Sequence, residues 1–151
     1  MTGEISVVEA KPRPLAVVRV TTAISTWPKR FMHTLDKVYA AVRAGHVKQT
    51  GHNVMVYRHR GDGLVDIECG VEVAGKFEPI GEVVYSETPS GLAVTATHPG
   101  PYQEMNRSYD AIRDWSRKHG HQLSRTCWEI YGDWEEDPAR LRTELFHLVR
   151  A

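Results

Sequence analysis

The chain has 151 residues, long enough for one well-formed core and short for two ordinary domains. Lys+Arg and Asp+Glu balance at 19 each, so no overall basic field marks it as a nucleic-acid binder. No apolar run approaches the roughly 20 residues of a membrane span and no signal-peptide core opens the chain, so it reads as a cytoplasmic protein.

Ile5 to Thr22 reads as an extended arm interrupted at Pro12 and Pro14, followed by a strand from Leu15. Ser25 or Thr26 caps a helix that has Pro28 in its first turn. Phe31, Leu35, Val38 and Val42 recur at helical spacing until Gly45 stops the helix. His52 to Arg58 and Leu64 to Val73 read as strands joined through Arg60-Gly61-Asp62-Gly63, a hairpin signal. Gly75 to Pro89 is a connector with one short strand near Gly81 to Tyr85. Leu92 to Thr97 is again a strand, and His98-Pro99-Gly100-Pro101 turns into a second helix. Met105, Tyr109, Ile112 and Trp115 form its apolar stripe up to Gly120. Thr126 to Tyr131 and Arg142 to Val149 are the last two strands, with an acidic loop from Asp133 to Pro138 between them.

The order β-α-β-β therefore occurs twice, at about residues 5–75 and 80–151 of a single domain spanning 1–151. The expected fold is α+β: an antiparallel sheet, two main helices and a ligand groove between the halves. In the overlay, Val54-Met55-Val56-Tyr57 falls on Trp128-Glu129-Ile130-Tyr131, and Asp66-Ile67-Glu68 on Arg142-Thr143-Glu144. Met55 thus takes the slot of Glu129, and only one copy carries the acid.

Glu129 is the residue to explain, because the apolar strand around it makes a carboxylate costly unless it is paired, neutralised or facing a cavity. Strand alternation points Glu129 and Tyr131 one way and Trp128 and Ile130 the other. Three readings follow. Glu129 could pair with an arginine on a neighbouring strand, Arg142, Arg58 or Arg19. It could serve as a receptor for cations among aromatic walls. It could act as a general base, with Tyr131 donating to a leaving carbonyl or enolate oxygen. Candidate walls are Trp27, Phe31, Met55, Tyr85 and Trp134, whereas Tyr109 and Trp115 read as helix core. Cys69 and Cys127 read as buried thiols and His119 and His121 as solvated helix-end residues, so neither metal nor cofactor is expected.

Thr97-His98-Pro99-Gly100-Pro101-Tyr102, Tyr109 and Trp115, Trp128-Glu129-Ile130-Tyr131, Asp137-Pro138 and Thr143-Glu144-Leu145 together resemble the GyrI-like small-molecule-binding family. The same family supplies the effector-binding domains of AraC-type and MerR-type regulators. Asp66 to Val73 is similar to its matching hairpin strand in the first half. The resemblance implies a duplicated, SHS2-like fold in which the buried glutamate faces aromatic residues and attracts hydrophobic, often cationic ligands. It implies multidrug-type binding or sequestration, with antibiotic resistance as the outcome. The alternative it carries is a hydrolase that opens cyclopropane rings of natural products with the same glutamate as base. Gyrase-inhibitor members make DNA gyrase a third partner class, for which these residues offer no recognition surface. A chain of this length leaves no room for a helix-turn-helix beside the domain, so direct nucleic-acid binding and transcriptional control are not expected, and neither is a membrane partner.

Overall fold

A computed structural model of the chain describes residues 2–151, which divide into two compact units. The elements run β1 (Ser6–Ala10), β2 (Pro14–Ala23), α1 (Trp27–Arg43), β3 (Gln49–His59), β4 (Leu64–Val73) and β5 (Val84–Glu87). They continue with β6 (Gly91–Pro99), α2 (Met105–Lys118), β7 (Leu123–Tyr131) and β8 (Arg142–Val149). Pro12–Thr88 forms one unit, an antiparallel sheet in the order β3-β4-β2-β5 with α1 on one face. Residues 2–11 join Pro89–Ala151 in the other, ordered β7-β8-β6-β1 with α2 on one face. The α+β plan of two β-α-β-β repeats is the one expected from the sequence. Among the described residues no helix is long and apolar enough to cross a membrane.

One segment lies elsewhere than at the head of the first repeat. The arm that includes β1 pairs antiparallel with β6, from Ser6↔Thr95 to Ala10↔Gly91, and its Ile5 and Val7 pack against the α2 core. Pro12 breaks the pairing before β2 begins, which lets one continuous stretch of apolar alternation serve both units.

Both helices end by the same device. Gly45 (φ 79°) follows α1, with His46 N–H bonding to Ala41 O at 3.1 Å. Gly120 (φ 75°) follows α2, with His121 N–H bonding to Ser116 O at 2.9 Å. This is the Schellman arrangement, and the left-handed backbone it requires is why glycine stands at both stops. The start of α1 differs from expectation. Thr26 is the N-cap residue, yet its hydroxyl donates to Ala23 O (2.8 Å) instead of accepting from the first turn.

The register makes the repeat exact where it matters. Both β3 and β7 carry an irregularity at their start, between Gln49 and Asn53 and between Leu123 and Cys127. Beyond it Met55 pairs with Cys69 and Tyr57 with Ile67, as Glu129 pairs with Leu145 and Tyr131 with Thr143. The overlay of Met55 on Glu129 therefore holds strand for strand.

Gly70 lies opposite Val17 on β2 at a close approach of the two backbones, where an added Cβ would overlap the carbonyl oxygen of Ala16. The obstacle is main chain and cannot rotate away. Gly70→Ala is expected to lower stability by about 1–3 kcal/mol, the usual range for an overpacked interior, as read from urea denaturation midpoints.

Candidate functional site

Glu129 lies near the C-terminal end of β7 with 5% of its surface exposed, between Trp128 and Ile130, which face the other way. Trp128 stacks on Phe146 across the strand pair, with ring centroids 5.1 Å apart and 7° between planes. Glu129 shares its face with its cross-strand partner Leu145, which packs against Met105 and Ile112 of α2. The carboxylate thus points to the helix side of the sheet, and two hydroxyls meet it there. Tyr131 donates to Oε1 at 2.8 Å from two positions along the same strand, and Tyr109 donates to Oε2 at 2.8 Å from α2. Tyr102 closes on Tyr131 edge to face, with centroids 5.2 Å apart.

The turn before α2 places Tyr102. His98 is buried, and its Nε2 lies 2.8 Å from Pro101 O, a carbonyl that can only accept, so Nε2 carries the proton. In the neutral ring, Nδ1 then accepts from Ser108 Oγ at 2.7 Å, and Ser108 in turn accepts from Thr2 Oγ1 at 2.8 Å. This chain ties β6, the turn and the first part of α2 into one piece. It is the physical role of the His-Pro-Gly-Pro segment.

Glu129 and Tyr131, paired in the sequence reading by alternation alone, are together in the structure. Tyr109, a core-stripe position by its helical spacing, also meets Glu129. The stripe position brings it under β7, and its hydroxyl makes the second bond to the acid. The missed signal was chemical: a tyrosine in an apolar stripe brings a hydroxyl that needs a partner. The Tyr131 hydroxyl is engaged on Glu129, so donation to a substrate oxygen would first break that bond. Cys127, next on this face, is a free buried thiol. Burial and the Glu129 charge push it up to about 12, against smaller opposing effects of Tyr109 and Arg113.

The arginines proposed as partners for Glu129 are placed otherwise. Arg19 (2.9 Å) and Arg58 (3.1 Å) both pair with Glu68 on β4, and Ser86 Oγ donates to it at 2.8 Å. Arg142 donates to the carbonyls of Ala139 (3.0 Å) and Leu141 (2.8 Å). The cause is register: Arg19 lies directly across from Glu68 on one side, and Val56, its partner on the other, is two residues from Arg58. Glu68, within Ile67-Glu68-Cys69-Gly70, is a second buried carboxylate whose sequence signal equals that of Glu129. Burial raises its carboxyl, but hydrogen bonds from Arg19, Ser86 and Arg58 outweigh that and hold it below the ordinary value.

The other candidate walls divide between the units. In Pro12–Thr88, Trp27 is buried and meets Phe31 edge to face at 6.3 Å, and Met55 is buried in the slot of Glu129. Tyr85 meets Phe77 at 6.1 Å and donates to Glu87 at 2.9 Å. In the other unit Trp134 is 73% exposed in the acidic loop. His119 and His121 are not simply solvated: both rings stack on Trp115, with centroids at 4.0 and 5.8 Å.

The GyrI-like small-molecule-binding domain family matches residues 3–150, and the chain belongs to that family. The C-terminal domain of EcmrR superposes with a TM-score of 0.78 at 19% identity, over 97% of each chain. In the EcmrR–DNA complex the TM-score is 0.80 at 18% identity, and the match spans 97% of this chain and 57% of EcmrR. SAV2435 bound to tetraphenylphosphonium superposes with a TM-score of 0.71 at 11% identity, over 98% of this chain and 94% of that one. A hydrolase encoded by lin2189 from Listeria innocua gives 0.64 at 10% identity, over 97% and 92%. At these identities the likeness is one of fold. No curated protein matches the sequence.

Two outcomes test the electrostatics. With its thiol raised to about 12, Cys127 stays protonated at pH 8 and should resist iodoacetamide in the native protein, as should Cys69, raised to about 12 by burial. Mass spectrometry should find both alkylated only after denaturation. Glu68→Gln should cost about 1–3 kcal/mol at pH 7, since it removes a charge held by hydrogen bonds. Because the folded carboxyl is lowered, its contribution is present above the unfolded value and fades as pH falls through the folded one. Urea midpoints of wild type and variant should therefore converge in acid.

Proposed function

We propose that the chain binds hydrophobic, often cationic aromatic small molecules at Glu129, in the manner of a multidrug-binding or sequestering protein. The observation that carries this is the buried carboxylate held between the hydroxyls of Tyr109 and Tyr131, with the Tyr102 ring against Tyr131. Phenols satisfy hydrogen-bonding demand without supplying positive charge. A desolvated cation gains more from a carboxylate in such surroundings than in water, and each aromatic face adds roughly 0.5–2 kcal/mol. Flat aromatic walls bind through area and set few demands on shape, which favours broad specificity. The tetraphenylphosphonium bound by SAV2435, a lipophilic cation on the same fold, supports this reading. Trp134, in the same unit, is proposed as a further ligand contact.

The second reading, a hydrolase of strained electrophiles such as cyclopropane-bearing natural products, is favoured by the Listeria hydrolase of this fold. Glu129 would be the base that activates water, oriented by its two phenols.

Titrating rhodamine 6G and tetraphenylphosphonium into wild type and Glu129→Gln separates the readings. Loss of at least tenfold in affinity in the variant, about 1.4 kcal/mol, is expected, with circular dichroism confirming the fold. Equal binding by both proteins, or by neither, sinks the cation receptor. A ring-opened product from a cyclopropane alkylator, made by wild type and not by the variant, would establish the enzyme instead.

A further inference from the structure

The outer edge of β2 is only partly covered. β5 pairs with Pro14 to Val17 and stops, because the chain turns away through the Ile80↔Val83 bridge. Among the described residues no strand pairs with Val18 to Ala23 on that side. Between this open edge and α1 lies a cleft of about 280 Å³, lined by Val18, Arg19 and Val20 of β2 and by Lys29, Arg30, His33 and Lys37 of α1. Glu82 is the one carboxylate on its wall, paired with Lys37 at 2.7 Å. Lys29 and Arg30 sit at the start of α1, whose first turn holds no acidic residue, so the helix dipole opposes their charge. In a chain of zero net charge this is a local positive excess.

The second repeat shows what such an edge holds. β6 corresponds to β2 through the pairs Ala96↔Leu145 and Val18↔Cys69, so Thr97 corresponds to Arg19. There the arm continues past Ser6 along the edge, with Gly3 N–H donating to Thr97 O at 2.9 Å. Thr2 reaches over to Ser108, the buried hydroxyl four residues before core Ile112. Thr34, four residues before core Val38, holds the same place on α1 and lines the cleft. An extended segment thus occupies in one repeat the position that is open and basic in the other.

We propose that the β2–α1 cleft receives an extended acidic segment of a partner protein, which adds to Val18–Ala23 as an antiparallel strand. Its main chain bonds to the outward amide and carbonyl groups of Arg19 and Thr21, as the arm does at Thr97. Its side chains alternate between the faces, so its glutamates lie on the α1 side beside Val18 and Val20 and its aliphatic residues on the other. Its carboxylates meet Lys29, Arg30 and His33, and these contacts weaken with salt. The site is separate from Glu129, and the proposal does not depend on that reading.

Fluorescence anisotropy with a fluorescein-labelled hexapeptide alternating glutamate and valine tests it. Wild type should bind; the double variant Lys29→Glu/Arg30→Glu, changed at two exposed positions, should bind at least tenfold more weakly. A backbone N-methylated form of the peptide, which keeps the charge and loses the strand donors, should also lose at least tenfold. Amide shifts in NMR spectra of the wild-type complex should concentrate on Val18–Ala23. Equal binding of the N-methylated peptide, a lysine–valine peptide binding as well, or a DNA duplex displacing the acidic peptide would each overturn the proposal.

Discussion

A carboxylate removed from water must find hydrogen bonds or charge, and the two repeats meet that constraint in different ways. On β4, Glu68 is flanked by strands that each bring an arginine, and two guanidinium groups and a serine hydroxyl take up its oxygens. On β7, Glu129 receives phenolic hydroxyls from its own strand and from α2. Guanidinium groups answer charge with charge. The phenols that meet Glu129 donate without a charge of their own.

The duplicated backbone makes this difference interpretable. Met55 and Glu129 occupy the same strand position on the same sheet face, past the same irregularity. The scaffold forms with methionine there, so the acid is not required by the architecture. What the second repeat adds is a supporting shell: the His98–Ser108–Thr2 chain fixes the turn into α2, and α2 then delivers Tyr109. The edges of the sheets diverge in the same spirit. One is completed by the N-terminal arm, the other ends at Val17 and leaves a basic cleft.

Local periodicity made most of the fold legible. Apolar residues at helical spacing and glycines at the stops located both helices, because the left-handed turn after each helix admits glycine almost alone. The Arg60-Gly61-Asp62-Gly63 turn closes as read, with Arg60 N–H bonding to Leu64 O at 2.9 Å. The arm around β1 was harder, since alternation states that a segment is a strand and is silent about which strand it joins. Its partner, β6, lies far away in sequence, and long-range pairing depends on where Ile5 and Val7 find a core.

By itself, the sequence determined that Glu129 and Tyr131 share a face, since side chains on a strand alternate regardless of context. It also determined the repeat and the slot shared with Met55, because both follow from spacing along the chain. Only the tertiary structure decided which buried acid takes the arginines. Arg19 and Arg58 reach Glu68 because the β2–β4–β3 register sets them beside it, and no one-dimensional pattern encodes that adjacency. It likewise decided that Tyr109 meets Glu129: helical spacing turned it toward the sheet, and the packing of α2 on that sheet chose the carboxylate it meets.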